Sequence, residues 1–183
     1  MTDPVIVEVT IAAPVADVWR ALRDPDQIRR WHGWDYEGIE HEIAEIYVTG
    51  AKASENDLTL DTGAGRFELE PLTEATTRVR ITRAAPAGKD DWHGIYDEIN
   101  EGWLSFTQQL RFYLERHSGE ERRTLHVDHQ VPIPEGEPWF SSEHQTGVLL
   151  GDFGLLTVAH GRTIVSTYGL DDEAFDRLAA HLQ

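Results

Sequence analysis

The feature that most constrains the fold is a long amphipathic stretch near the middle of the 183-residue chain. Its apolar residues recur at steps of three and four, which is the period of an α-helix. They are Ile95, Ile99, Trp103, Phe106, Leu110 and Tyr113 or Leu114. The pattern predicts a helix of about six turns with one wide apolar stripe. Such a stripe needs an apolar surface on which to pack.

The residues before this helix supply such a surface, because they alternate with a period of two, which is typical of half-buried strands. Val5–Ile11 forms one predicted strand, and turn residues divide 36–84 into an antiparallel meander. Its last hairpin is predicted to turn at 73–75 and to pair Phe67 with Ile81, Leu69 with Val79, Glu68 with Arg80 and Glu70 with Arg78.

Two short helices are predicted between the first strand and the meander. Residues 14–22 carry apolar side chains at helical spacing after Pro14, which the first turn of a helix tolerates. Asp24 and Pro25 then form an N-cap followed by proline, which starts a second helix that runs to about Trp31.

The region after Gly119 is different in character. It predicts a strand at 124–131, a loop at 132–143, a hairpin with strands 148–159 and 163–168, and a final helix at 171–182. No internal repeat is evident. We therefore expect a domain at 1–118 and a C-terminal extension at 119–183. The apolar residues at 148–150 and 155–156 must be buried, against the domain or in a homodimer.

Charge and composition restrict the partners. The net charge of −17 disfavours binding to nucleic acid or to an anionic membrane surface. The chain has no cysteine, which excludes disulfides and thiolate metal sites. The N-terminus lacks the features of a signal peptide and no apolar run is long enough for a membrane span, so we expect a cytoplasmic protein.

Three segments together resemble a known superfamily. They are Ile11–Leu22 with the following Asp24, Pro25, Ile28 and Trp31; Thr77–Thr82; and Glu101-Gly102-Trp103 with Phe106, Leu110 and Tyr113-Leu114-Glu115. This order resembles the START-like (SRPBCC) superfamily, especially the branch named after the activator of the heat-shock-protein-90 ATPase. The resemblance covers residues 1 to about 117. It implies an α+β helix-grip fold, in which a curved antiparallel sheet wraps around a long C-terminal helix.

The resemblance also implies an apolar pocket for a small molecule between the long helix and the sheet. Its wall is then expected at Ile99, Trp103, Phe106 and Leu110. Its mouth is expected at Trp31, Trp34, Tyr36, Trp92 and Tyr96. The alternative is that these side chains are ordinary core residues, or that they only attach loops to the domain.

His41 and Glu45 are the polar candidates for catalysis. If Ile39, Ile43 and Tyr47 face inward on a predicted strand, a period of two points His41 and Glu45 inward as well. A β-bulge, or a strand with its faces reversed, would place both in water.

No pattern predicts a metal or a cofactor. His126, Asp128 and His129 are the closest His/Asp cluster, but on a strand His129 points away from the other two. No phosphate-binding loop, nucleophile elbow or dinucleotide fingerprint is present in the sequence.

Three functions follow from these observations. The absence of a catalytic motif favours non-catalytic binding of a small hydrophobic molecule. A cyclase-, aromatase- or hydrolase-like enzyme that uses polar pocket residues is the second. A cochaperone-like module that binds another protein is the third, and it depends on the branch name alone.

Overall fold

The structure, a computed structural model, describes residues 3–84, 93–159 and 161–182, and among these it leaves aside the side chains of 93–97. It contains two antiparallel sheets of five strands each and a long helix between them. The predicted α+β class with a helix-grip arrangement is confirmed.

The first sheet forms from the predicted N-terminal strand and the meander. Its strands are β1 (Val5–Ile11), β2 (Lys52–Ser54), β3 (Thr59–Asp61), β4 (Arg66–Thr73) and β5 (Thr76–Thr82). They lie in the order β1-β5-β4-β3-β2. The predicted register of the β4–β5 hairpin is confirmed at all four pairs. Its inner face carries Phe67 and Val79, both buried, while Arg78 bonds Glu70 on the outer face at 2.8 Å.

Short helices connect β1 to β2. They are α1 (Val15–Arg23), α2 (Pro25–Ile28) and α3 (Ile39–Ile43), which continues as π-helical turns over Ala44–Thr49. The first two were predicted, although α2 ends at Ile28 rather than near Trp31. Asp24 caps α2 by accepting a hydrogen bond from the Asp26 amide at 3.0 Å. The strand expected to begin at Tyr36 is wrong, because residues 39–49 are helical.

The long helix α4 spans His93–Arg116, as the apolar period predicted. After it, the second sheet consists of β6 (Arg122–Val127), β7 (Pro138–Ser141), β8 (Gln145–Leu150), β9 (Gly154–Ala159) and β10 (Arg162–Tyr168), and α5 (Asp172–Leu182) ends the chain. The single strand predicted at 148–159 is wrong: the chain turns at 151–153, where Gly151 has a φ of 54°, and forms two strands.

The two sheets share one topology. The second has the order β6-β10-β9-β8-β7, which repeats the order β1-β5-β4-β3-β2 of the first, and each sheet is followed by a helix. In the second unit, residues 128–137 connect the first two strands without forming a helix or a strand. In the first unit, three helices make the corresponding connection. The chain therefore contains a topological duplication that the sequence did not reveal.

The layers share their apolar residues. Leu149 and Leu155 of the second sheet belong to the same core as α4 and the first sheet. Leu156 and Val165, on the opposite face, pack with Leu178 of α5. The apolar tail segments are thus buried within the chain, which removes the premise for a homodimer. The boundary at residue 118 stays a prediction.

Candidate functional site

A cavity of about 270 Å³ lies between α4 and the second sheet. Its walls come from three parts of the chain: one face of α4, the ends of β8, β9 and β10, and the loop after α2. The lining residues are Trp34, Glu98, Glu101, Gly102, Ser105, Phe106, Gln145, Ala159, Arg162 and Ile164. Two of them, Trp34 and Phe106, were predicted as pocket residues.

The cavity is on the other side of α4 from the predicted pocket. Glu98, Gly102 and Ser105 recur at helical spacing and therefore share one face, which is directed at the second sheet. Trp103 and Leu110 of the predicted wall are directed at the first sheet, and both are buried. Trp103 packs edge-on against Phe67, with ring centroids 5.4 Å apart. Trp103 and Leu110 are thus core residues, whereas Phe106 lines the cavity and Ile99 is exposed.

Gly102 opens the cavity at the helix backbone. A Cβ atom added to this residue would meet no heavy atom within 4 Å. Glycine inside a helix costs about 0.5–1 kcal/mol relative to alanine. Gly102 therefore lowers the stability of the helix, and its missing side chain enlarges the cavity.

A polar network closes one side of the cavity and joins α4 to β8. The Gln145 amide donates to the backbone carbonyl of Glu101 at 2.6 Å and to its carboxylate at 2.5 Å. Its carbonyl accepts a hydrogen bond from Ser105, and Ser142 donates to the Glu101 carboxylate at 3.0 Å. Because these groups satisfy one another, they form a preorganised wall.

Arg162 and Glu98 place charges at the rim. Both side chains belong to exposed residues that line the cavity from opposite sides. Neither forms an ion pair with any side chain that the structure describes. They remain available to a polar group of a bound molecule.

Trp34 is held in place by the loop around it and by β6. Its ring stacks on His126 with centroids 4.7 Å apart and an interplanar angle of 9°. On the next residue, the Asp35 amide donates to the Thr124 hydroxyl at 2.6 Å, and the Thr124 amide donates to the Asp35 carboxylate at 2.7 Å. These reciprocal bonds fix the aromatic wall to the second sheet.

Arg122 of β6 anchors the start of the same loop. Its guanidinium donates to the backbone carbonyls of His32 at 2.7 Å and Gly33 at 3.1 Å. Burial lowers the pKa of Arg122 to about 10, so the group stays charged at neutral pH. A buried cation thus joins the first unit to the second, directly beside Trp34.

The other predicted mouth and wall residues lie elsewhere. Trp31 is fully buried, and its indole donates to the carbonyl of Ala21 at 2.9 Å. Tyr36 and Ile99 are exposed. Trp92 and the side chain of Tyr96 lie outside the described residues. Contact of any of these residues with a ligand stays a prediction.

His41 and Glu45 do not face inward, which corrects the prediction. They lie one helical turn apart on the solvent side of α3 and its continuation, where His41 Nε2 is 3.3 Å from a carboxylate oxygen of Glu45. Their side chains are 79% and 68% exposed. Ile39, Ile43 and Tyr47 are buried as predicted, but as one face of a helix.

Sequence reasoning missed a chain of hydrogen bonds that begins at the buried His32, beneath Phe106. His32, which has no solvent exposure, contacts Glu42 through Nε2 at 2.7 Å and Tyr47 through Nδ1 at 3.0 Å. Tyr36 donates to the other Glu42 oxygen. The carboxylate fixes the proton on Nε2, so Nδ1 accepts from the Tyr47 hydroxyl. Phe106 packs on the His32 ring at 4.4 Å.

This chain of hydrogen bonds makes the free energy of unfolding depend on pH. Burial lowers the pKa of His32 below its ordinary 6.5, and the hydrogen bond from His32 lowers the pKa of Glu42 below 4.5. Below about pH 6.5 the unfolded chain binds a proton at His32 that the folded protein does not, so stability falls as pH falls. Below about pH 4.5 Glu42 adds to the loss.

We expect the free energy of unfolding, measured with urea, to decrease as the pH is lowered from 7.5 to 5.5. One proton accounts for a slope of up to about 1.4 kcal/mol per pH unit. His32→Gln, whose side chain offers both a hydrogen-bond donor and an acceptor, should remove the part of that slope that corresponds to one proton. An equal slope in both proteins would show that His32 is not the group responsible.

Two further findings concern metals and membranes. Within the described part of the chain, no group of three or more His, Cys, Asp or Glu residues is arranged to hold a metal ion. No helix among the described residues combines the length and apolarity that a bilayer crossing needs.

Known proteins give only weak similarities. No family model and no curated protein matches the chain. Among solved structures, the di-domain ARO/CYC BexL from the BE-7585A biosynthetic pathway aligns over 98% of this chain and 89% of its own, with 11% identity and a TM-score of 0.48. DynU16 of the dynemicin biosynthetic locus aligns over 94% and 91%, with 16% identity and a TM-score of 0.39.

A third structure, the di-domain ARO/CYC StfQ from the steffimycin biosynthetic pathway, aligns over 97% of this chain and 88% of its own, with 11% identity and a TM-score of 0.43. Similarities this weak establish neither a family nor an activity. The superfamily and branch resemblance of the sequence therefore stays a prediction, and the fold described above follows from the contacts of this chain.

Proposed function

We propose that this protein binds a small, mainly apolar molecule in the cavity between α4 and the second sheet. The observation that carries the proposal is the open space at Gly102, in a helix whose later turns contribute buried residues to the core. Protein interiors are close-packed, whereas the apolar side chains that line this open cavity lack such contacts on one side. A bound molecule would restore them.

The lining indicates the kind of molecule. Trp34 and Phe106 offer aromatic faces, and Ile164 and Ala159 add aliphatic surface. The volume of about 270 Å³ is near the lower end of the range for ligand pockets, roughly 300–1,000 Å³. A flat molecule of one or two rings fits these walls.

Native mass spectrometry and titration test the proposal together. The purified protein is expected to retain a ligand, or, after organic extraction, to bind 2-methylnaphthalene with one-to-one stoichiometry in isothermal calorimetry. Binding should protect the indole of Trp34 from quenching by acrylamide, which a Trp34→Phe variant would verify. A protein that carries no ligand and binds no apolar probe would contradict the proposal.

An enzyme that acts on the bound molecule is the second candidate. The observation that favours it is the presence of three ionisable groups in the lining, Glu98, Glu101 and Arg162, beside apolar walls. Ionisable groups next to a substrate are the usual acids and bases of catalysis. His41 and Glu45 do not support it, since both face solvent on another element.

The two candidates differ in what happens to the ligand. A binding protein returns an extracted ligand unchanged after incubation, whereas an enzyme converts it. If conversion occurs, Glu98→Gln and Arg162→Met should slow it, while His41→Ala should leave it unaffected. Conversion that is equally fast in all three variants would remove the lining charges from the mechanism.

A further inference from the structure

The carboxylate of Glu101, which lines the cavity from α4, has two oxygens in different situations. Its Oε2 accepts hydrogen bonds from the Ser142 hydroxyl at 3.0 Å and from the Gln145 amide at 2.5 Å. Its Oε1 forms no hydrogen bond with any residue that the structure describes. One oxygen is thus bound to β8 and the turn before it, and the other is free.

The free oxygen has accessible space beside it. Several buried side-chain atoms in the described part of the chain lack a hydrogen-bond partner, and Oε1 of Glu101 is not one of them. An oxygen that is unpaired without being buried faces open space. Because Oε2 is directed at β8 and the residue lines the cavity, this space is the cavity. A molecule in the cavity therefore meets a hydrogen-bond acceptor.

The free oxygen is also held in a fixed position. Gln145, which is 3% exposed, donates to the backbone carbonyl of Glu101 as well as to its carboxylate. The carbonyl of Gln145 in turn accepts a hydrogen bond from Ser105. A mobile surface glutamate loses rotamer freedom when it binds a ligand, which weakens binding. Glu101 has already lost this freedom in the folded protein, so Oε1 is a preorganised acceptor.

The surroundings of Oε1 favour a positively charged partner. Glu98 lies three residues earlier on α4 and lines the same cavity, and residues at this spacing are neighbours on a helix surface. Trp34 and Phe106 add aromatic rings, whose faces attract cations. Two carboxylates beside aromatic rings suit a cationic group that is attached to an apolar body.

Arg162 is the cation of the lining, and its backbone lies away from the Glu101 network. Ala159 pairs with Gln145 on β8 and with Arg162 on β10, so these two residues are two strand spacings apart, or about 10 Å. Arg162 forms no ion pair with a side chain that the structure describes. It therefore leaves the carboxylate of Glu101 to the ligand.

We infer that Glu101 binds a protonated amine of the ligand through Oε1, and hence that the ligand is an aromatic amine. This rests on the proposed binding function. An ionised carboxylate only accepts hydrogen bonds, so the group that meets Oε1 must be a donor. Hydroxyl and ammonium groups both donate, but only the ammonium group also gains from the charges of Glu98 and Glu101 and from the aromatic rings. A carboxylate on the ligand would be repelled.

Four probes with the same ring system test the inference in calorimetry at about pH 7. They are 2-naphthylmethylamine, which is protonated at this pH, 2-naphthylmethanol, 2-naphthoate and 2-methylnaphthalene. The wild-type protein is expected to bind the amine about tenfold more tightly than 2-methylnaphthalene, as one hydrogen bond between charged groups suggests, with the alcohol between them. The carboxylate of 2-naphthoate should make it the weakest of the four.

Glu101→Gln reverses the polarity of the free position. Ser142 and Gln145 both donate to this side chain, so the carbonyl oxygen of the variant must replace Oε2 and its NH2 group must replace Oε1. A donor then faces the amine where an acceptor was. The ratio of the affinity for the amine to that for 2-methylnaphthalene should fall from about ten to about one or less.

Two further variants control for charge and for folding. Glu143→Gln removes the same charge next to Ser142, from a side chain that is 86% exposed and outside the cavity lining, so the ratio should change less than about twofold. Glu98→Gln alters an exposed residue and does not threaten the fold, and it should lower the ratio about two- to threefold. Urea unfolding shows whether Glu101→Gln is folded.

The outcomes separate this inference from the proposed function. If the extracted protein binds none of the four probes, the binding function itself is wrong. If any other probe binds as tightly as the amine, the cavity binds ring systems but does not select an amine. A ratio that persists in folded Glu101→Gln would assign the amine to another group, and if that variant does not fold, an unchanged ratio in Glu98→Gln contradicts the inference instead. A ratio lost in Glu101→Gln and kept in Glu143→Gln supports it.

Discussion

Replacement of Gly102 by leucine is expected to abolish most of the binding of 2-methylnaphthalene while the protein stays folded. The added side chain extends into space that contains no heavy atom within 4 Å of the new Cβ, so it occupies the volume that a ligand needs. A ligand forced into an overpacked site loses about 1–3 kcal/mol, which corresponds to an affinity decrease of about 5- to 150-fold.

The same substitution should not harm the fold. Leucine is a better helix former than glycine, and its Cβ atom would meet no heavy atom within 4 Å. The free energy of unfolding is expected to rise by about 0.5–1 kcal/mol, provided that the cavity is empty during the measurement. Loss of binding together with higher stability would separate a cavity effect from damage to the protein.

Gly102→Ala serves as the control for helix propensity. It provides the same gain in helix stability but adds a single methyl group, so most of the cavity remains. We expect its affinity for the probe to stay within about fourfold of the wild type, since one methylene accounts for roughly 0.8 kcal/mol. Unchanged binding in Gly102→Leu would show that the probe binds elsewhere.

The strongest periodic signals in the sequence predicted their elements well. The apolar period of α4 and the alternation of β4 and β5 follow from burial on one face, and a one-residue slip would expose every inward side chain. This is why the four pairs of the β4–β5 hairpin, from Phe67–Ile81 to Glu70–Arg78, agree with the structure.

The segment after Gly38 shows where periodicity fails. Its buried residues are Ile39, Ile43 and Tyr47, at intervals of four. Four is a multiple of the strand period and also close to one helical turn, so burial alone cannot distinguish the two. Under the strand reading, the intervening His41 and Glu45 fall on the inner face, whereas on a helix they fall on the solvent side.

The cavity could not be located from the sequence because α4 is buried on two sides. Its apolar stripe marks the face that packs on the first sheet. The second buried face carries glycine, serine and glutamine, which give no hydrophobic signal. Only the second sheet reveals this face as an interior surface, and its topological repeat is visible in strand order rather than in residue identity.

The second large effect is a loss of stability expected from Arg122→Met, because Arg122 joins the two units. Methionine fills a similar volume but cannot donate, so the carbonyls of His32 and Gly33 lose their buried partners. Hydrogen bonds from charged donors contribute about 1.5–3 kcal/mol each. After allowance for the cost of burying the guanidinium, we expect a loss of about 3 kcal/mol in urea unfolding.

Arg123→Met is the matched control on the same strand. Arg123 faces the other way, pairs with the 94% exposed carboxylate of Asp172 and lies over the ring of Phe175. Exposed ion pairs and cation–π contacts contribute little, so its loss should cost about 1 kcal/mol or less. Equal losses in the two variants would contradict a special role for the buried arginine.

Binding should separate the two arginines further. Arg122 holds the backbone immediately before Trp34, and Trp34 forms one wall of the cavity. Without this anchor the wall is less preorganised, and ordering a single side chain and its loop on binding costs about 0.5–1.5 kcal/mol or more. We therefore expect Arg122→Met to weaken the binding of 2-methylnaphthalene about 2- to 10-fold in calorimetry, whereas Arg123→Met leaves it unchanged. Full affinity in Arg122→Met would show that Trp34 keeps its place through His126, Asp35 and Thr124 alone.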